Sequence, residues 1–358
     1  MAKRFLAAIA AALMIVMAPA SAAAAVPAAA DSDIAVLAAA DSDIAVLAAA
    51  GPGGAVSDTG IPAAAVSDTA SLKKDSVSKK GLPGSFRLSC DEWSASRVKK
   101  VGERRAAQVS RQGLDTLRVS GSGQPSPAGL ALVKEEILKK APEGTEIWIV
   151  DLRQETHFYA DDAAMIITDS DNTANRGMST EEVLLLEQET IRTLAGGELA
   201  GKNLFTEQQA AEALGMHYVR FAITDHYFPE PYMVDEIIRF YHALPENAWV
   251  HFHCRAGHGR TTSLCLMFDI LRNPYLDYET LALRQYLLGG KNLLEKSSGH
   301  SLDGILKKQP EMLPLFYQYV NSERFSASPL SWSEWLRRRE TDSSGTQQKV
   351  AGIVRKPV

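Results

Sequence analysis

The alternation of apolar and polar positions divides the middle of the chain into strands and helices. Glu146-Ile-Trp-Ile-Val-Asp151 is a short, apolar, β-branched run that predicts a buried strand. Ser179-Thr-Glu-Glu182 is a capping box opening a helix to about Leu194. Thr206-Glu-Gln-Gln209 is a second capping box, with Gly215 placed to end its helix. His217 to Ile223 reads as a strand. Val234, Ile237, Ile238 and Tyr241 recur at i, i+3, i+4 and i+7, the core face of a helix. Trp249-Val-His-Phe-His253 is the next strand, and Leu264, Met267, Phe268 and Leu271 repeat the helical spacing until Asn273-Pro274 stops it. Strands alternating with helices predict an α/β fold with a largely parallel central sheet flanked by helices. The less regular stretch from Gly84 to about Gly129 is expected to form a small β-rich accessory part.

The ends carry different patterns. Lys3 and Arg4 precede an unbroken apolar run from Phe5 to Met17, and Ala20-Ser21-Ala22 offers small residues for cleavage, so residues 1–22 read as a secretory signal peptide. The run is shorter than the roughly 20 residues a membrane span needs, and no later segment is apolar enough to be one. DSDIAVLAAA then occurs twice, at 31–40 and 41–50, and AVSDT recurs at 55–59 and 65–69. Such low-complexity sequence does not build a packed core, so residues 23–80 are expected to be a linker. Residues 81–340 are expected to form the folded domain, and the polar stretch 341–358 a flexible tail.

Composition narrows the chemistry. The chain has 38 basic and 43 acidic side chains, net −5, and cleavage of the signal would remove Lys3 and Arg4 but no acid. An acidic chain offers no general attraction to nucleic acid, so an anionic substrate must meet a local basic pocket. Cys90, Cys254 and Cys265 are too few, and odd in number, for a disulfide framework, which leaves at least one free thiol in an exported protein. No cluster has metal-ligand spacing, so neither a metal nor another cofactor is expected.

The chemistry concentrates in His253-Cys254-Arg255-Ala256-Gly257-His258-Gly259-Arg260-Thr261, where a strand gives way to a helix. A loop there points successive backbone N–H groups at one spot, and the helix N-terminus adds positive potential. Gly257 and Gly259 permit the tight backbone, and Arg260 can return over the loop to grip two phosphate oxygens. Cys254 at the base of this cradle is placed for in-line attack on phosphorus, giving a phosphocysteine. Thr261 can donate to its sulfur, and His253 is expected to order the loop. The leaving alkoxide needs a proton, and Asp225, after a strand in Thr224-Asp225-His226-Tyr227-Phe228-Pro229, is the candidate acid.

Residues 253–262, HCRAGHGRTT, resemble the signature of the protein-tyrosine-phosphatase superfamily, and its branch of bacterial cysteine phytases (inositol polyphosphatases) in particular. Asp151-Leu-Arg-Gln-Glu-Thr-His157, Thr224-Asp225-His226 with Pro229, and Ser331-Trp-Ser-Glu-Trp-Leu336 are similar to that branch. So are Arg284-Gln285 with Gly289-Gly290, and Leu82-Pro83 with Phe86-Arg87. The resemblance spans about residues 82–338. It implies Cys254 as nucleophile, Arg260 as phosphate clamp, Asp225 as general acid, and a tyrosine-phosphatase-like core with a partial β-barrel near the entrance. Arg255 and His258 are bulkier and more basic than that family's loop, and Asp171-Asn172-Thr-Ala-Asn175-Arg176 matches it only in part.

A phytate-like substrate needs further cations. Arg87, Arg153, Arg255, His226, His258, Arg284 and Lys291 all fall in or near the matched segments, and with Ala256, Gly257 and Gly259 they are the expected binding set. Asp151 has two readings: it accepts from an inositol hydroxyl, or it caps its strand and orients Arg153. The expected activity is stepwise hydrolysis of phytate by an exported, periplasmic or secreted enzyme. A protein tyrosine or dual-specificity phosphatase is the alternative.

Overall fold

The computed structural model describes residues 70–77, 80–295, 307–324 and 326–341. The leader, the tandem repeats and the tail beyond 341 lie outside them. Along the chain run β1 (Ser71–Lys74), β2 (Arg87–Leu88), α1 (Ala95–Val101), α2 (Glu103–Gln108), β3 (Val119–Ser122), α3 (Pro127–Leu138) and β4 (Glu146–Asp151). Next come β5 (Thr156–Ala160), β6 (Ala163–Thr168), α4 (Thr180–Ala195), β7 (Leu204–Phe205), α5 (Glu207–Ala213) and β8 (His217–Arg220). The last are α6 (Pro231–Ala243), β9 (Ala248–His253), α7 (Gly259–Arg272), α8 (Tyr278–Leu287), α9 (Gln309–Glu323) and α10 (332–341).

The central sheet has the order β2-β3-β9-β4-β8, in which β3, β9, β4 and β8 are parallel and β2 is an antiparallel edge. Strands covered on both faces must be apolar throughout. β9 meets this with six buried residues, and β4 with five of its six. One face packs on α6 to α9 through Val234, Ile237, Leu264, Phe268, Leu281 and Phe316. The other packs on α3 and α5 through Leu130, Val133, Ile137 and Ala211. Both expected capping boxes form, with Ser179 and Thr206 accepting from the third helical N–H and Glu182 and Gln209 reaching back. Register sets Asp151 and Ser122 on either side of His253, and Arg220 beside Asp151. The C-terminal ends of four strands therefore open on one edge, where ligands bind in open α/β sheets.

Two expectations are corrected. The stretch from Gly84 to Gly129 is not β-rich: it holds α1, α2 and two strands of the central sheet. The small antiparallel sheet, order β1-β6-β5-β7, is assembled from other segments and packs on α4. Among the described residues this sheet has two open edges, β1 and β7. The linker also ends earlier than residue 80. Residues 71–74 pair with β6, and Asp75 buries its carboxylate 3.0 Å from Arg153 Nη1 and 3.1 Å from Arg255 Nε.

This boundary has a measurable consequence. Removing residues 1–69 is expected to leave urea-melt stability nearly unchanged. Removing 1–77 strips a carboxylate from two buried or half-buried arginines and should cost roughly 2–4 kcal/mol. An equal loss for the shorter truncation would contradict this boundary.

Candidate active site

Cys254 follows β9 at the sheet edge and is almost wholly buried, with Thr261 Oγ1 donating to its sulfur at 3.1 Å. Residues 254–258 arch over to the first turn of α7. Gly257 has φ +74°, and a Cβ there would stand 2.4 Å from Gly123 N, so only glycine fits. Gln124 N donates to Arg255 O, locking the loop to the strand β3 exit.

Arg260 is buried against the loop. Its Nη1 and Nη2 donate to Glu155 Oε2 and Oε1 at 2.8 and 2.9 Å, and Nη1 also donates to Ile223 O at 3.0 Å. Burial disfavours a charged guanidinium, yet the Glu155 carboxylate outweighs it and holds the Arg260 pKa well above its ordinary value. Arg260 Nε is buried with no hydrogen-bond partner among the described residues, a donor still open to an anion. Asp225, on the segment that follows β8, brings Oδ1 to 3.2 Å from Arg260 Nη2. β8 ends at Arg220 rather than at Ile223 as expected; after Phe221 N donates to Asp151 O the backbone turns away, and this turn delivers Asp225 to Arg260. Phe228 packs on the fully buried Trp332 of α10 with ring centroids 6.2 Å apart, anchoring the Asp225 loop.

An open cleft of about 1400 Å³ lies over Cys254. Arg255, Ala256, His258, Gly259, His226 and Lys291 line it, as expected. Burial and the neighbouring Arg87, Arg97 and Lys291 keep the His258 pKa below its ordinary value, so this imidazole adds no positive charge at neutral pH. Three cations escaped the sequence reading: Arg97, Lys100 and Arg105 of α1 and α2 also line the cleft. The basic run Arg97-Val-Lys-Lys-Val-Gly-Glu-Arg-Arg105 was the available signal.

Four expected side-chain contacts are not in the cleft. Arg87 is buried beneath the loop, donating to Gly257 O at 3.0 Å and Thr262 Oγ1 at 3.1 Å. Arg153 is fully buried, bonded to Gln124 Oε1, Glu155 and Asp75. Asp151 is fully buried too. It accepts from Arg153 N at 2.9 Å and Tyr218 Oη at 2.9 Å, which favours the strand-capping reading over an inositol contact. Arg284 pairs internally with Asp269. Arg87 braces the loop directly and Arg153 does so through Gln124, whose N–H holds Arg255 O.

Behind the loop, His253 Nε2 lies 3.1 Å from Glu207 Oε1, and His157 Nε2 lies 3.2 Å from Asp151 Oδ2 and 3.4 Å from Glu207 Oε2. Burial would depress the His157 pKa, but the Asp151 carboxylate outweighs it and raises it to about 9. Asp151, His157 and Glu207 bring ligand-type atoms within 4.8 Å of one another. The Arg220 guanidinium, 3.1 Å from the same Asp151 oxygen, already supplies positive charge there and would repel a divalent ion. The cluster is built as an ion-pair network.

Comparison with known proteins agrees with this geometry. The family model for PTP-like phytases, described as "Inositol hexakisphosphate", matches residues 188–272, which include Asp225 and the whole cysteine loop. The tandemly repeated PTP-like phytase of Mitsuokella multacida aligns with 74% of this chain and 48% of its own at 32% identity and TM-score 0.66. The same values hold for that organism's PTP-like myo-inositol phosphatase in complex with myo-inositol-(1,3,4,5)-tetrakisphosphate. A PTP-like phytase of Bdellovibrio bacteriovorus aligns over 75% of this chain and 95% of its own, at 28% identity and TM-score 0.59. Effector protein hopD2 of Pseudomonas syringae pv. tomato is 26% identical over 248 residues, 62% of this chain and 52% of the relative. The chain thus spans about half the length of the first of these curated and solved relatives. Residues 188–272, with the cysteine loop and Asp225, thus match the PTP-like phytase family, and the fold around them is similar to that of PTP-like phytases.

Proposed function

We propose that this protein is a cysteine-dependent phosphatase that removes phosphates stepwise from an inositol polyphosphate, with phytate as the substrate. The observation that carries the reading is Asp225, brought to 3.2 Å from Arg260 in the cleft that holds Cys254. Cys254 Sγ attacks phosphorus as the bond to the leaving inositol oxygen breaks, and Asp225 gives that oxygen its proton. Water then attacks the phosphocysteine, Asp225 takes up its proton, and the P–S bond breaks. Phosphate leaves, and Thr261 donates to the departing thiolate. The loop amides and Arg260 hold the phosphoryl oxygens throughout. No cofactor is invoked.

A cleft rimmed by Arg97, Lys100, Arg105, Arg255 and Lys291 suits a small, densely charged substrate. The leader pattern of residues 1–22 and a relative named as an effector support export, which we assign to the periplasm or the medium. The test is a comparison of kcat/KM for phytate and for phosphotyrosyl peptides. The reading expects a preference for phytate of at least roughly tenfold that shrinks with added salt, because screening weakens the rim charges. A preference for peptides would select the protein phosphatase alternative.

A further inference from the structure

Asn172 stands at the cleft wall with φ +59°, on the loop after β6, and every polar atom of its side chain is engaged. Its Nδ2 donates to Asp225 Oδ2 at 2.9 Å. Its Oδ1 accepts from Arg255 Nη1 at 2.8 Å and from Thr168 Oγ1 at 2.9 Å. Two donors on Oδ1 fix which end of the amide faces Asp225. Arg255, a residue of the cysteine loop, is held in turn by Asp75, whose Oδ1 accepts from Nε at 3.1 Å.

We infer that Asn172 is a positioning residue that orients the Asp225 carboxyl for proton transfer, and that Asp75 sets Asn172 through Arg255. The Asn172 amide donates to Oδ2, while Oδ1 accepts from His226 N at 3.0 Å and faces Arg260 Nη2 at 3.2 Å, so the carboxyl is pinned at both oxygens and Asn172 is its side-chain anchor on the β6 side. An acid misplaced by an ångström loses much of its effect. Asp75, beyond the end of β1, thereby ties the edge strand of the small sheet to proton transfer. This inference rests on the proposed phosphocysteine chemistry but not on the identity of the natural substrate.

The test uses aryl phosphates whose leaving groups range from 4-nitrophenol to phenol. Asn172→Gly removes the amide, and glycine tolerates the positive φ. Asn172→Asp keeps the shape and removes the donor, so the test survives if the first variant folds poorly. Both are expected to slow phenyl phosphate roughly ten- to hundredfold, with 4-nitrophenyl phosphate held within about twofold. Asp75→Ala should move the same ratio in the same direction, by about threefold. Equal losses on all esters, or none, for the Asn172 variants would overturn the inference. A flat leaving-group dependence for Asp75→Ala would overturn the link to β1. Aryl esters report on Asp225 whatever its natural substrate, so wild-type protein inert toward phytate would count against the proposed substrate alone.

Discussion

Cys254→Ser is expected to reduce turnover by at least roughly ten-thousand-fold while the protein still folds and binds phosphate, because a serine hydroxyl in that place stays protonated and attacks poorly. Folding should survive because the change alters one atom in a loop held by other contacts. Arg87 grips Gly257 O, Gln124 N grips Arg255 O, and neither depends on the sulfur. Thr261 Oγ1 keeps an alternative acceptor in Ser122 O at 3.3 Å. Steady-state kinetics beside phosphate titration measure both halves. A variant that keeps a tenth of wild-type activity would remove Cys254 from its role.

Asp225→Asn and Arg260→Lys should fail in different ways. Without Asp225, an inositol alkoxide departs unprotonated, and turnover of phytate should fall about a hundred- to ten-thousand-fold. An activated phenol ester leaves readily as an anion and should lose far less. Arg260→Lys should damage both substrates alike, since the two-pronged grip serves the phosphoryl group itself. It also breaks the two-pronged pairing of Arg260 with the buried Glu155, which among the described side chains keeps only Arg153 Nε at 3.1 Å, so a fall in stability should accompany it. Equal losses on the two substrates for Asp225→Asn would exclude it as the acid, and His226 would be tested next.

The chain itself displayed the layers of the central sheet and the cysteine loop. The reasons are local: capping boxes at Ser179 and Thr206 are spelled in four residues, and a strand–Gly–Arg–helix junction is written contiguously. Asp225 was legible as a candidate acid because a turn-prone residue followed a strand. Burial was not legible. Arg87, Arg153 and Asp151 lie in segments that resemble the family, and charge alone places them in solvent or at substrate. The structure instead buries them, with Gly257 O satisfying Arg87, Gln124 and Glu155 satisfying Arg153, and Tyr218 donating to Asp151. Their partners come from distant segments, so no spacing rule announces them. Glu155 and Glu207 went unassigned for the same reason. β1 was missed because Ser-Leu-Lys-Lys has almost no apolar pattern: an edge strand is recruited by backbone pairing with β6, not by its side chains.

Product-resolved chromatography of a phytate digest, run with wild-type protein and with Cys254→Ser, tests the central claim most directly. The account predicts a descending series of lower inositol phosphates with release of inorganic phosphate, present for wild type and absent for the variant. Intact phytate in the wild-type digest, with phosphotyrosyl peptide hydrolysed under the same conditions, would contradict it.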